Sequence, residues 1–154
     1  MSFGISMDVL QVYSDDTLRG TPDKKRYNLR SGPISPEYET LQKIFSSGFT
    51  TNLFHGKWSG EIVWFPLPAK VELLEREKSK YITEMTKGDI VFCPAYNEII
   101  LGYGNIKLGD VSGNILQVHK LAEFDPDSVT RVGEVAKNVI EFGRHQITVE
   151  PIEV

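Results

Sequence analysis

The sequence predicts a mainly β fold, a closed eight-stranded barrel capped by two α-helices. Short apolar runs recur through most of the chain and are separated by Gly, Pro, Asn and Asp, as strands are by turns. Two longer stretches instead show the apolar spacing of amphipathic helices. Closure of the sheet would remove its exposed edges, which favours a barrel for this many short strands.

The predicted strands are short and spread along the whole chain. The segment Ala69–Lys87 remains ambiguous, because its apolar residues fit a strand or a helical turn and its charged tract is typical of a solvated surface. Residues 1–20 are an extra strand, an edge addition or a mobile arm. The eight strands are placed at Ser6–Tyr13, Lys25–Arg30, Thr51–His55, Glu61–Phe65, Ile90–Cys93, Glu98–Tyr103, Ile115–Lys120 and Gln146–Pro151.

The first predicted helix runs from Pro36 to Ser47. Ser35 can cap it, and a proline suits the first turn because that turn leaves its N–H groups unpaired in any case. Gly48 is the expected stop. Helical spacing places four apolar residues on one face: Tyr38, Leu41, Ile44 and Phe45.

The second predicted helix runs from Pro126 to Phe142. Asp125 or Asp127 is its N-cap, and Gly143 is its C-terminal stop. Its apolar stripe is continuous and consists of Val129, Val132, Val135, Ala136, Val139 and Ile140.

Length and composition predict an ordinary globular domain. The 154 residues fit a single domain, residues 1–154, with one substantial core. A content of 40% hydrophobic and 25% charged residues argues against wholesale disorder. The net charge of −4 argues against a nucleic-acid duplex as partner, since that needs a clustered basic face. The short basic cluster Lys24–Arg26 is typical of a solvated loop or strand end.

Cysteine use and hydropathy predict a cytoplasmic protein that is not inserted in a membrane. Cys93 is the chain's one cysteine, which excludes an intramolecular disulfide and a zinc site of paired cysteines. Between Phe92 and Pro94 it is predicted to be a buried apolar residue rather than a nucleophile. No apolar run approaches the ~20 residues that cross a bilayer, and Met1–Gly4 does not begin like a signal peptide.

The densest group of chemically active side chains lies in one strand-like segment and comprises His55, Lys57, Trp58, Glu61 and Trp64. Such a group forms either a ligand-binding wall or a cross-strand packing block with a polar rim. The tryptophans share a face of a regular strand, whereas a turn or bulge between them would separate them. His55 is either a general base or a rim residue with its hydrogen bonds satisfied, and Lys57 can pair with Glu61 across the turn.

Four further residues are candidates for ligand binding. Tyr96 and Glu98 belong to a turn and the strand that follows it, and Tyr103 ends that strand. A tyrosine and a carboxylate at a barrel mouth can orient a small ligand, although Glu98 also fits a solvated edge charge. Arg144 can bind a carboxylate through its guanidinium or simply favour the negative end of the second helix.

No metal site or cofactor is predicted. His55, Glu61 and Glu98 lack the spacing that places two ligands on one element. Gly102 and Gly104 are too close together for a dinucleotide fingerprint and do not open a helix.

Three segments together resemble the small bacterial and archaeal cyclophilin-like proteins of uncharacterised function. They are His55-Gly-Lys-Trp-Ser-Gly-Glu61, Lys87-Gly-Asp-Ile-Val-Phe-Cys-Pro94 and Glu98-Ile-Ile-Leu-Gly-Tyr-Gly104. The resemblance covers roughly residues 35–154 and implies a closed, mostly antiparallel eight-stranded barrel with helices over its ends. It does not imply prolyl isomerase activity, because the Phe-His-Arg strand motif of the active isomerases is absent.

The function predicted from these features is binding of a small molecule, of the amide or carboxylate class, in a pocket at the side of the barrel. A role in hydrolysis of small amides or ureides is an alternative, since cyclophilin-like domains also form parts of urea-amide hydrolases. A prolyl isomerase or peptide-binding protein is a second alternative. A third is an assembly subunit whose aromatic patch is covered by a protein partner or by another copy of the chain.

Overall fold

A computed structural model describes residues 3–12 and 25–154 of the chain. The mainly β prediction is confirmed, and seven of the eight predicted strands lie close to their expected positions. The strands are β1 Phe3–Gln11, β2 Arg26–Arg30, β3 Phe49–His55, β4 Gly60–Pro66, β5 Asp89–Cys93, β6 Glu98–Ile106, β7 His119–Glu123 and β8 His145–Glu153. The helices are α1 Glu39–Ser47, α2 Glu75–Lys78 and α3 Pro126–Phe142. Tyr13, Lys24 and half of the uncertain N-terminal segment 1–20 lie outside the described residues.

The strands form one antiparallel sheet in the order β2-β1-β8-β3-β4-β6-β5-β7. This sheet is an open, strongly curled half-barrel, so the prediction of a closed barrel is wrong. The edge strands β2 and β7 form no ladder with each other. Instead the chain that follows β2 runs beside β7, with an isolated bridge between Ser31 and Phe124. Gly32 N also donates to Glu123 O at 2.9 Å.

Residues 3–12 and 25–154 contain three helices rather than the two predicted. The additional one, α2, is a single turn within the ambiguous segment Ala69–Lys87. Helix α1 begins three residues later than predicted, because Ser35 caps a turn: its Oγ accepts from Glu37 N at 3.3 Å. The predicted apolar face of α1 is confirmed at Tyr38, Leu41 and Phe45, which are buried.

Helix α3 has its predicted boundaries. Asp125 is the N-cap, and its carboxylate accepts from Ser128 N at 2.8 Å. Gly143 ends the helix with a φ of 88°, which a residue with a side chain rarely adopts. The apolar stripe is buried as far as Val139, but Ile140 is 62% exposed. The stripe therefore ends one residue earlier than its sequence pattern indicates.

Asp125→Ala is expected to lower the free energy of unfolding by about 1 kcal/mol, because it removes the side-chain acceptor of the first helical turn. Asp127→Ala is the matched control, since Asp127 lies in the same turn without capping it. It is expected to cost only about 0.5 kcal/mol through the helix dipole. Urea unfolding of both variants measures the difference, and equal losses would contradict the capping assignment.

The sheet separates two apolar clusters. Alternate residues of β4, β5 and β6 point to opposite faces, so Val63 and Ile99 enter the main core while Ile62 and Ile100 enter a second, smaller cluster. The main core packs against α1 and α3. The second cluster is covered by the chain around Ile82–Met85 and by residues 106–118. Its members include Cys93, which is fully buried as predicted.

The last predicted strand before α3 is displaced toward the C-terminus. Residues 115–120 were expected to form it, whereas β7 spans His119–Glu123. Leu116 and Val118 instead belong to the second apolar cluster. Their burial there explains why this segment has an apolar pattern similar to that of a strand. Within the described ranges, no helix is long and apolar enough to cross a membrane.

Candidate functional site

A cavity of about 410 Å³ lies at the border of the second apolar cluster. Its floor is one face of β4 and β6, where Trp64 and Ile100 are cross-strand partners. The β3–β4 connection, residues 56–59, forms one wall, and the turn before β6 and the loop around residues 109–111 contribute the others. The cavity brings together six of the nine predicted site residues: His55, Lys57, Trp58, Trp64, Tyr96 and Glu98.

The two tryptophans reach the same cavity from different elements. Trp64 lies on β4 and stacks on Phe54 of β3, with ring centres 4.8 Å apart. Trp58 precedes β4 and is 62% exposed. A register shift between Gly60 and Ile62 interrupts the ladder with β6. The predicted turn and bulge are therefore present, yet both indoles line the cavity.

His55 has a hydrogen-bond partner on each ring nitrogen. Its Nδ1 lies 2.7 Å from Gly56 O and its Nε2 lies 2.5 Å from the Tyr103 hydroxyl. A carbonyl only accepts, so Nδ1 donates in the neutral ring and the Tyr103 hydroxyl donates to Nε2. The lone pair that a general base needs is thus already engaged. This geometry agrees with the prediction of a satisfied rim residue.

Three predicted site residues do not line the cavity. Tyr103 instead orients the His55 ring, and burial, with a smaller effect of the Glu61 charge, raises the pKa of its phenol. Glu61 is exposed, and its Oε1 accepts from Asn105 N at 2.8 Å. Within the described ranges Glu61 forms no ion pair with Lys57, so that predicted pairing is wrong. Arg144 is exposed in the connection between α3 and β8.

Glu98 is the most unusual ionisable group of the cavity. It is the first residue of β6, half-buried, and paired across the sheet with Pro66 and Cys93. Burial raises its pKa from 4.5 to about 7. No residue in the described part of the chain donates a hydrogen bond to its carboxyl. Its partial burial and raised pKa argue against the alternative of a fully solvated edge charge.

The turn before Glu98 is fixed by its own amide side chain. Asn97 adopts a φ of 52°, in the left-handed region that asparagine tolerates. Its Oδ1 accepts from Val71 N at 2.8 Å and its Nδ2 donates to Ala69 O at 3.0 Å. Tyr96, immediately before it, is 53% exposed beside the cavity.

The loop around Asp110 is a part of the site that the sequence analysis did not identify. The Asp110 carboxylate accepts from the backbone N–H groups of Asn114 and Ser112, each at 2.9 Å, and these bonds lower its pKa. Ser59 Oγ donates to Gly109 O at 3.0 Å and so attaches this loop to the β3–β4 connection. The run Asp-Val-Ser-Gly-Asn has residue types that predict a turn. It does not predict that this turn contacts Ser59.

The cavity combines binding features without a visible catalytic constellation. Ser59 is engaged through its hydroxyl with Gly109, both as donor to the carbonyl and as acceptor from the N–H at 3.2 Å. Among residues 3–12 and 25–154 no group of three or more His, Cys, Asp or Glu side chains is arranged to hold a metal ion. The cavity lining also contains the half-buried Glu98 carboxyl, the exposed Lys57 ammonium group and the aromatic residues Trp58, Trp64 and Tyr96.

Comparison with known proteins places the chain by fold alone. No protein-family model matches the sequence, and no curated protein matches it either. The solved structure of McbB in complex with tryptophan is similar, with a TM-score of 0.59 and 10% identity over 95% of this chain. The chain spans 44% of McbB. The solution structure of the hypothetical protein AF2241 from Archaeoglobus fulgidus has a TM-score of 0.52 and 13% identity, covering 96% of this chain and 95% of AF2241.

Proposed function

We propose that this protein binds a small molecule of the amide or carboxylate class in the cavity between the β3–β4 connection and the start of β6. The observation that carries the proposal is the meeting of two indoles with a half-buried carboxyl that has no internal partner. Binding pockets combine apolar and aromatic walls with a few convergent polar groups in this way. A purely structural role gives no reason to leave Trp58 exposed beside the cavity.

The polar groups of the cavity suit the two ligand classes. Lys57 carries the positive charge that attracts a ligand carboxylate. Glu98 accepts a hydrogen bond from an amide N–H of the ligand. The volume of about 410 Å³ falls within the range of small-molecule sites. McbB was solved with tryptophan, an aromatic carboxylate, and tryptophan is therefore included among the ligands to be tested.

The cyclophilin-like family remains a prediction that neither structural neighbour tests. Hydrolysis of small amides and prolyl isomerisation are not favoured by any contact within the described residues. The engaged nitrogens of His55 give no support to its use as a base.

The test is a thermal-shift screen of small carboxylates, amides, ureides and tryptophan, followed by calorimetry on each ligand that stabilises the protein. Trp58→Ala is expected to weaken binding at least tenfold, because it removes an aromatic wall. Its stability should change little, since this side chain is 62% exposed. Tyr81→Ala is the matched control, an exposed aromatic residue that does not line the cavity. A silent screen at millimolar ligand would refute the proposal.

A further inference from the structure

We infer that the ligand carries a cationic nitrogen, an ammonium or related group, that binds against the Glu98 carboxylate and is flanked by the aromatic rings of Trp58, Trp64 and Tyr96. This inference rests on the proposed function and specifies the chemical class of its ligand. An amino acid or another carboxylate with an amine remains compatible with both.

Glu98 is isolated within the cavity. Its carboxyl lies at the floor of the cavity at the start of β6, and the described chain offers it no hydrogen-bond donor. Partial burial without a hydrogen-bond donor disfavours the charged carboxylate, and a bound cation offsets that cost by charge and hydrogen bonding together. A cation is preferred over a neutral donor because the attraction between opposite charges is stronger in a partly buried site than in bulk water.

The surroundings of Glu98 are aromatic. The rings of Trp58, Trp64 and Tyr96 all line the same cavity as Glu98. The faces of such rings carry negative electrostatic potential and attract cations, with tryptophan the strongest. The phenyl ring of Phe54 covers part of the Trp64 indole, which fixes the orientation of that wall. Aromatic faces and a carboxylate therefore act in the same direction on a cationic ligand.

The other charged and titratable groups near Glu98 do not satisfy it. From the β3–β4 connection these are His55, engaged with Tyr103, and Lys57, which is exposed and, within the described residues, forms no ion pair with Glu98. From the opposite loop, Asp110 is committed to its own backbone N–H groups. Tyr96 belongs to the preceding turn, and burial keeps the neighbouring Cys93 thiol protonated by raising its pKa.

Binding of a cation is expected to be linked to proton release from Glu98. Burial raises the pKa of this carboxyl to about 7, so most of it is protonated in the free protein below neutrality. A cation binds the ionised form and must displace that proton. Affinity therefore rises with pH and levels off above about 7, with an expected gain of about 30-fold between pH 5.5 and pH 8.

Three probes of matched shape separate the ligand classes: 2-phenylethylamine, 3-phenylpropanoate and 3-phenylpropanamide. Calorimetry with the full chain is expected to show the amine binding at least tenfold more tightly than the other two at pH 8. The amine should lose about 30-fold in affinity at pH 5.5, whereas the amide should change less than twofold. Titrations at pH 6 in two buffers of different ionisation enthalpy should show release of about 0.9 proton per amine bound.

Variants assign these effects to Glu98. Glu98→Gln should abolish both the preference for the amine and its pH dependence, while His55→Gln should retain the pH dependence. Equal or tighter binding of the propanoate or the propanamide would overturn the inference and leave the proposed function standing. Silence of all three probes and of the wider screen would overturn both. A pH dependence that disappears in His55→Gln and persists in Glu98→Gln would also refute the assignment.

Discussion

Glu98→Gln is expected to stabilise the protein by about 2 kcal/mol above pH 7 and to change its stability little near pH 4.5. Burial raises the pKa of Glu98 from 4.5 to about 7, so the folded protein keeps a proton that the unfolded chain has already lost. Stability therefore falls as pH rises from about 4.5 to about 7 and stays reduced above that range. The full shift corresponds to about 3 kcal/mol, which solvent contact of a half-buried carboxyl reduces to about 2.

Urea unfolding of the wild type and of Glu98→Gln at pH 4.5 and pH 8 measures this effect. The difference in unfolding free energy between the two proteins isolates the contribution of Glu98 from that of every other titrating group. Glu84→Gln is a suitable control, because Glu84 is exposed and should give the same small change at both values of pH. If the difference in unfolding free energy between Glu98→Gln and the wild type is the same at both values of pH, the carboxyl is well solvated.

Gly60→Ala is expected to destabilise the protein by about 3 kcal/mol and to weaken ligand binding as well. Gly60 has a φ of 84°, and a Cβ at this position would lie 2.5 Å from Asn105 O. The left-handed backbone alone costs a residue with a side chain about 1 kcal/mol. The contact with a backbone carbonyl adds to that cost, because a strand rather than a flexible side chain must move.

Gly113→Ala is the control for the conformational part of this cost. Gly113 has nearly the same φ, 83°, but a Cβ there would meet no atom within 4 Å. Its expected loss is about 1 kcal/mol. Urea unfolding compares the two variants. Equal losses of stability would show that β6 can shift at Asn105 without a cost in free energy. Because Gly60 directly follows the β3–β4 connection, its displacement should also move Trp58 away from the cavity.

Much of the fold was predictable because its signals are local. The limits of α3 follow from Asp125, Pro126 and Gly143, each of which acts on backbone groups within a few residues. The eight strands follow from apolar runs and turn residues in the same way. The closed barrel was wrong because closure depends on whether β2 and β7 meet, and no local pattern contains that information.

In the candidate site too, residues with a local sequence signal were predicted, and residues placed by distant contacts were not. Trp58 and Trp64 were found because they lie together in the sequence, and Glu98 because it follows a turn with Tyr96. The loop around Asp110 was missed because it reaches the cavity through Ser59, fifty residues away in the chain. Arg144 was correctly placed between α3 and the last strand, but no local pattern indicated that this connection does not line the cavity.

Local patterns in the sequence predicted α3 and most of the strands, and they identified side chains that could bind a ligand. The half-burial of Glu98 without a hydrogen-bond partner among the described residues, and the engagement of His55 by Tyr103, depend on the tertiary structure. The physical reason is that periodicity is set by backbone geometry within one element, whereas burial and hydrogen bonding depend on elements far apart in the chain. The pairing of β4 with β6 and the packing of residues 106–118 over the second cluster create the environment that shifts the Glu98 pKa.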